Sequence, residues 1–253
     1  MTEADYPFSF VAFLDILGFS AIIDSACDSG TALDIIHRLS DALQDAKHRV
    51  ESGWSWEKDK LAVRMFSDCV CVSVPAQIEN FDAFFQLLAL VQSNFVRRRI
   101  CLRGGVAIGR HFANEYLIFS EGLVAAHKVE SSVAEFPRIV VPGEFWSFVT
   151  SHGYDEDIIW FEDTYIWRDP WDGQMIVDYL NFMPFTRRNE PEHNGRDLRA
   201  HKAFIEESLS ALASRPRVLK KYRWMAAYHN SWCAQEYPEH PDLLIGSSPE
   251  AGT

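Results

Sequence analysis

Two β-forming runs, LAVRMF (61–66) and CVCVSV (69–74), stand only two residues apart. A parallel pair would need a crossover of a dozen or more residues, so Ser67 and Asp68 must form the turn of an antiparallel hairpin. This commits the chain to a sheet with antiparallel pairs and sets a carboxylate, Asp68, at the hairpin tip. A second carboxylate has a comparable place. The run FVAFLDILGFS (10–20) opens with Val11, Ala12, Phe13 and Leu14, which suit a sheet interior, and then sets Asp15 directly against them. A charge at the end of a buried strand is costly unless something neutralises it.

The rest of the first half alternates between the two periodicities. Residues 8–15 read as a buried strand, and 19–27 and 31–51 as helix, with Thr31 placed to cap the second piece and Leu33, Ile36, Leu39 and Leu43 at helical spacing. Helical spacing returns over 79–98, where Phe81, Phe84, Phe85, Leu88, Val91 and Phe95 form one stripe and the basic run 97–99 lies near the C-terminal end, favoured by the helix dipole. ICLRGGVAIG (100–109) reads as a strand interrupted by two glycines, EYLIFS (115–120) as its partner, and about 121–134 as a third helix. The order predicts an α+β fold, an antiparallel-rich sheet with its helices on one face. Further on, 138–142, 158–161, 164–167 and 175–182 read as strands, with Asp169, Pro170, Asp172 and Gly173 marking a turn. A polar connection over 183–197 leads to two closing helices, about 198–213 and 216–235, the second opening with Pro216, and then to a frayed tail.

Composition excludes some functions. A formal net charge of −12 argues against broad electrostatic attraction to nucleic acid or anionic membrane, so a polyanionic ligand must be met by local cations or metal. The five cysteines include Cys69 and Cys71 on one face of a strand, but no second Cys/His pair completes a zinc site, and they read as free thiols. No apolar run approaches the ~18 residues that span a bilayer, and no basic-then-apolar signal opens the chain; the expectation is a soluble, cytoplasmic protein.

Taken singly, an aspartate at a strand end suits a turn or a helix cap. If the two strands are neighbours, however, Asp15 and Asp68 converge as hard oxygen ligands at one sheet edge, which suits Mg²⁺ or Mn²⁺ completed by substrate phosphates and water. Gly18 would let the backbone of Ile16, Leu17, Gly18 and Phe19 bring N–H groups to a triphosphate at the start of the next helix. Arg103, beside Gly104 and Gly105, suits either a phosphate fork or a surface ion pair.

FLDILGFS, RMFSDCVCVSV, LRGGVAIG and SEGLVAAHKVES, in this order, resemble the catalytic core of class III nucleotidyl cyclases, especially the bacterial antiphage pyrimidine cyclases of the Pycsar type. The resemblance covers roughly residues 8–142, and KKYRWMAAYHN near the C-terminus is similar to the tail of those enzymes. It implies a ferredoxin-like sheet with helices packed on it, a catalytic core over 1–142, and a C-terminal extension over 143–253 that packs on or completes the core. It further implies two divalent ions, Mn²⁺ or Mg²⁺, on Asp15, Asp68 and the Ile16 carbonyl. One would lower the pKa of the 3′-hydroxyl and the other hold the triphosphate, for in-line attack of O3′ on the α-phosphorus.

The positions that read adenine in such enzymes fall here at Arg64 and Leu117. A donor-only Arg64 without a nearby acceptor favours uracil, then cytosine, and Leu117 cannot accept from an adenine amino group; a core ion pair or a phosphate contact is the other reading of Arg64. The family's asparagine and transition-state arginine fall at Val124 and Lys128, so the asparagine is absent and Lys128 offers a point charge without the fork. His127 and Glu130 are close enough in sequence to join the site or to form a surface pair, and the surface reading is preferred for each. The resemblance also implies a head-to-tail homodimer with two composite sites, and a separate effector that responds to the cyclic nucleotide. The expected activity is conversion of UTP to 3′,5′-cyclic UMP in antiphage defence. Alternatives are a cytidylate cyclase, an adenylate or guanylate cyclase, and a degenerate nucleotide-binding regulator; a metal-dependent phosphodiesterase ranks lower for want of a His-rich cluster.

Overall fold

The computed structural model describes residues 6–53, 62–152, 165–183 and 195–246. The strand expected at 158–161, most of the 183–197 connection and the end of the tail lie outside the described residues. The chain divides into two compact units, residues 1–168 with 174–179, and residues 169–173 with 180–253.

The first unit is built on a mixed sheet. Its strands are β1 (Phe8–Ile16), β2 (Ala62–Phe66), β3 (Cys69–Pro75), β4 (Leu102–Ala113), β5 (Ile118–Ser120), β6 (Ile139–Val141), β7 (Ile166–Arg168) and β8 (Met175–Val177). Their order is β2-β3-β1-β4-β6-β8-β7, with β5 paired to β4. The β2–β3 hairpin forms as expected, Phe66 facing Cys69 across the two-residue turn. The sheet runs past residue 142 through β8 and β7. One pair, β4 with β6, is parallel, because the helix α4 (Glu121–Val133) intervenes and carries the chain back to the same edge.

Helices cover both faces of this sheet, which corrects the expectation of one face. Phe10 of β1 packs against Phe84 of α3 (Phe81–Arg97) and Phe145 of α5 (Gly143–Ser151), with ring centroids 5.7 and 5.4 Å away. On the opposite face Phe13 and Ala107 pack with Ala126 of α4. The physical cause is the composition of β1: Phe10, Val11 and Ala12 are all fully buried, and a strand apolar on both sides needs cover on both. The short helix α5 was not anticipated by the sequence reading. Helices α1 (Phe19–Ser29) and α2 (Ala32–Gly53) connect the end of β1 to the hairpin.

The second unit is helical, with α6 (Arg196–Ala211) packed on α7 (Pro216–Glu236). Trp224 stacks on Tyr228 and donates its indole N–H to Asp169 Oδ2 at 2.7 Å, so that Asp169, expected as a turn residue, is also a buried acceptor. His201 and His229 meet Nδ1 to Nδ1 at 3.0 Å, and His229 Nε2 faces the Leu243 carbonyl at 3.0 Å. A carbonyl demands a donor, so neutral His229 carries its proton on Nε2 and accepts from His201 at Nδ1. Burial lowers both imidazoles, His229 to about 4. Below the ordinary value of 6.5 the unfolded chain takes up a proton that native His229 refuses until about pH 4. Stability is therefore expected to fall as pH drops through that window, by about 3 kcal/mol from His229 alone. Urea titrations read by tryptophan fluorescence across this range check the slope, and a flat profile would contradict the buried pair.

Candidate active site

Asp15 is the penultimate residue of β1 and pairs across the sheet with Cys69 of β3 on one side and Arg103 of β4 on the other. These three residues lie in one row on the face that α4 covers. Asp68 is brought to the same edge by the hairpin turn. Ser67 takes a positive φ of 55°, the hand that two-residue hairpin turns favour, and the Ile16 N–H donates to the Asp68 carbonyl at 2.9 Å, tying the tip to the end of β1. A non-glycine residue in that region costs of order 1 kcal/mol and is tolerated where the surroundings fix it. In consequence one ligand atom each of Asp15, Asp68 and Cys69 lie within 4.8 Å of one another.

Past Asp15 the chain turns at once into α1. Leu17 donates to the Cys101 carbonyl at 2.9 Å, Gly18 adopts a φ of 74° as the residue before the helix, and Phe19 begins it. A Cβ on Gly18 would meet nothing within 4 Å, so the left-handed backbone alone is what calls for glycine here. No side chain caps this helix start, which leaves its first-turn N–H groups available beside the carboxylates.

Arg103 neutralises Asp15. Its Nε donates to Asp15 Oδ2 at 2.9 Å, and its Nη2 lies 2.7 Å from Glu130 Oε1 of α4. The second contact is an ion pair without hydrogen-bond alignment, since Glu130 Oε1 accepts no hydrogen bond while buried. Glu130 is only 3% exposed, correcting the expected surface pair with His127. His127 itself is exposed, its ring set edge-on to Phe13 at 4.9 Å. Burial raises the Glu130 carboxyl above the ordinary range, Arg103 opposes the rise, and Asp15 adds to it. Burial and then the Asp68 and Asp15 charges push the Cys69 thiol up to about 12, so it is protonated at neutral pH.

Of the other expected site residues, Arg64 and Lys128 lie near this cluster, on β2 and two residues before Glu130 on α4, and Leu117 lies at the far end of β4. Arg64 lies on β2 opposite Cys71, one row along the sheet, and its charge helps burial to lower His111, whose ring bridges Ser73 and Ser120 at 3.0 and 2.8 Å. Leu117 is 54% exposed in the β4–β5 turn, where its N–H donates to Asn114 Oδ1. The far end of β4 is ten residues from Arg103, roughly 33 Å along the strand. Lys128 lines a groove of about 590 Å³ with Tyr6, Phe119, Leu123 and Val124. A single chain thus gathers Asp15, Ile16, Leu17, Gly18, Phe19, Asp68 and Arg103, with Arg64 and Lys128 nearby, and leaves Leu117 elsewhere on the same unit.

Of two further residues at the cluster, Cys69 was not anticipated there and Glu130 was expected there only as the second reading. Cys69 needed the β1–β3 register, which places it directly beside Asp15. For Glu130 a signal existed: Gly122, Ala126 and Glu130 recur every four residues and are the buried positions of α4, so the carboxylate continues a stripe of small residues facing the sheet.

A site of two carboxylates and one further polar atom at a sheet edge fits a small divalent cation. Asp15 and Glu130 share the Arg103 guanidinium, and one ligand atom each of Asp15, Asp68 and Cys69 lie close enough to converge on one ion.

No protein-family profile matches the chain, and no curated protein matches it. Among solved structures it is similar to a class III adenylyl cyclase-like ATP-binding protein from Pseudomonas aeruginosa, with 12% identity over 56% of this chain and 34% of that one and a TM-score of 0.41. The present chain thus spans about a third of that protein. It is also similar to the monomeric guanylyl cyclase domain of the RhoGC fusion protein from the aquatic fungus Blastocladiella emersonii, with 13% identity over 68% of this chain and 94% of that one and a TM-score of 0.44. TM-scores of this size carry no functional weight, which is left to the side chains described above.

Proposed function

We propose that the chain is a nucleotidyl cyclase that converts UTP to 3′,5′-cyclic UMP and pyrophosphate. The observation that carries this reading is the convergence of Asp15, from the end of β1, and Asp68, from the β2–β3 tip, beside the uncapped start of α1. The two carboxylates and the Ile16 carbonyl would hold divalent metal, Mn²⁺ or Mg²⁺, in two sites. When bound, such ions acidify a 3′-hydroxyl and offset triphosphate charge. The chain's own residues do the rest by positioning. First-turn N–H groups after Gly18 orient the triphosphate, with Arg103 as a second phosphate contact.

Base recognition and transition-state charge are assigned to Arg64, Leu117 and Lys128 of a second copy. The distance of Leu117 from Asp15 within one chain supports a composite site in a head-to-tail homodimer, and so does the exposed apolar groove with Phe119 at 63% and Val124 at 57% exposure. Arg64 offers donors and Leu117 no acceptor, a combination that favours uracil, with cytosine next. The product would serve as a messenger to a separate cyclic-nucleotide-binding effector in antiphage defence, with the chain acting in the cytoplasm. No described helix is long and apolar enough to cross a membrane.

The test is competition. Purified protein incubated with Mn²⁺ and equal ATP, GTP, CTP and UTP is expected to give cyclic UMP as the dominant product by mass spectrometry, at least about tenfold over the purine products, the discrimination that a few unpaired polar groups provide. Preferred turnover of ATP or GTP would overturn the base assignment. Nucleotide-dependent stabilisation with no cyclic product would favour the second reading, a regulator without turnover, for which Val124 in place of an asparagine is the specific support.

A further inference from the structure

The Asp15 carboxylate is already neutralised inside the chain. Arg103 Nε holds Oδ2 at 2.9 Å, on the carboxylate that the proposed metal requires. The guanidinium is divided, because its Nη2 is drawn 2.7 Å from Glu130, a carboxylate with 3% exposure on the opposing helix. Glu130 forms no hydrogen bond through Oε1, and Arg103 offsets its charge more than His127 does. Sheet register explains why the arrangement is stiff: Arg103 is directly opposite Asp15 on the neighbouring strand, and α4 approaches β4 so closely that a Cβ on Gly105 would come within 2.7 Å of the Ala126 carbonyl.

We propose that Arg103 is an internal competitor for the metal at Asp15, and that Glu130 is a positioning residue that sets the strength of the competition by holding the other arm of the guanidinium. This rests on the metal reading of Asp15 and Asp68 and adds to it a built-in control of metal affinity. A cation and a guanidinium that address one carboxylate oppose each other twice, through the shared carboxylate charge and through mutual repulsion. Each negative charge placed on the far side of Arg103 reduces its hold on Asp15. Removal of Arg103 therefore strengthens metal binding, and removal of the Glu130 charge weakens it, since the guanidinium then serves Asp15 alone and one nearby negative charge is lost.

These opposite signs separate the proposal from a merely structural role, in which disturbing either partner loosens the site and weakens binding in both variants. The experiment is a Mn²⁺ titration of the full chain without nucleotide, followed by the paramagnetic resonance signal of free Mn²⁺, on wild type, Arg103→Gln, Arg103→Lys, Glu130→Gln and Asp15→Ala, with circular dichroism to confirm folding. Arg103→Gln is expected to bind about tenfold tighter, the scale on which one adjacent charge shifts a carboxylate equilibrium, and Glu130→Gln several-fold weaker. Arg103→Lys keeps the charge without the fork and is expected between wild type and Arg103→Gln; it decides the matter if the glutamine variant does not fold. Unchanged or weaker binding by the folded Arg103 variants, with binding still abolished in Asp15→Ala, overturns the proposal and leaves the metal site standing. Unchanged or tighter binding by Glu130→Gln overturns the part assigned to Glu130. Absence of any Asp15-dependent Mn²⁺ binding in wild type overturns the metal reading and this proposal with it.

Discussion

Asp15→Ala and Asp68→Ala are each expected to reduce cyclic nucleotide formation by about 10³-fold or more while leaving the melting temperature within a few degrees of wild type. The magnitude follows from what each carboxylate does. A magnesium-like ion is commonly anchored by one or two carboxylates, so removal of one takes away half of the protein's charged anchor at a site whose chemistry is almost entirely electrostatic. The small effect on stability follows from what remains. Without Asp15, the Arg103 guanidinium keeps its ion pair with buried Glu130, so no buried charge is stranded. Asp68 is in a hairpin turn, and its backbone carbonyl, which accepts from Ile16, is untouched by side-chain truncation. The informative comparison is with Glu130→Ala, which truncates a side chain only 3% exposed between α4 and β4, leaves a void there, and is expected to cost more stability than either aspartate change. Steady-state rates and thermal melts on the same preparations read both quantities. Substantial residual turnover in either folded aspartate variant would remove the two-metal assignment, and a loss of turnover explained by unfolding would leave Asp15 as a structural carboxylate.

How much of this was legible in the sequence depends on the range of the interaction. The β2–β3 hairpin could be read because a two-residue gap admits one topology, and the structure pairs Phe66 with Cys69 as that gap demands. The major helices of the first half could be read because their apolar stripes repeat locally. The sidedness of the sheet was missed although its sign was present: FVAFL is apolar without alternation, the mark of a strand covered on both faces. Helix α5 was hidden because it follows a Pro-Gly pair that reads as a turn, and only Phe145 and Val149, four residues apart, are fully buried in it. The convergence of Asp15 with Asp68 was expected from two strand ends and appears in the structure as a cluster with Cys69. Glu130 was misread because a charged residue on an amphipathic helix normally faces water. The four-residue series Gly122, Ala126, Glu130 marked its face, but the partner that meets its charge, Arg103, is on a different element and is not marked by any local pattern.

Gly104 and Gly105 of LRGGVAIG were read as interrupting a strand, whereas β4 runs through them unbroken, and Gly105 and Gly109 are points of close helix contact. A Cβ on Gly105 would lie 2.6 Å from Val129 Cβ and 2.7 Å from the Ala126 carbonyl, and one on Gly109 would lie 2.6 Å from the Gly122 backbone nitrogen. They are the places where α4 descends onto β4. Gly105→Val is therefore expected to destabilise the chain by about 3 kcal/mol or more, at the upper end of overpacking effects, because the obstacle includes helix backbone that cannot rotate aside. For a chain of this size that corresponds to a drop of roughly 6–12 °C in melting temperature. Gly143→Ala is the control: it has open space within 4 Å and lies at the start of α5, so its effect is expected within about 0.5 kcal/mol. Activity is expected to fall with Gly105→Val even where the protein remains folded, since the same displacement lifts Glu130 from Arg103 and moves Lys128 on the same helix. A variant with wild-type melting and wild-type Mn²⁺ affinity would mean that α4 does not rest on the sheet as closely as these contacts require. Weakened metal binding in a folded Gly105→Val protein would instead connect the packing of one helix on one strand to the charge balance at Asp15, through a carboxylate whose position the glycine makes accessible.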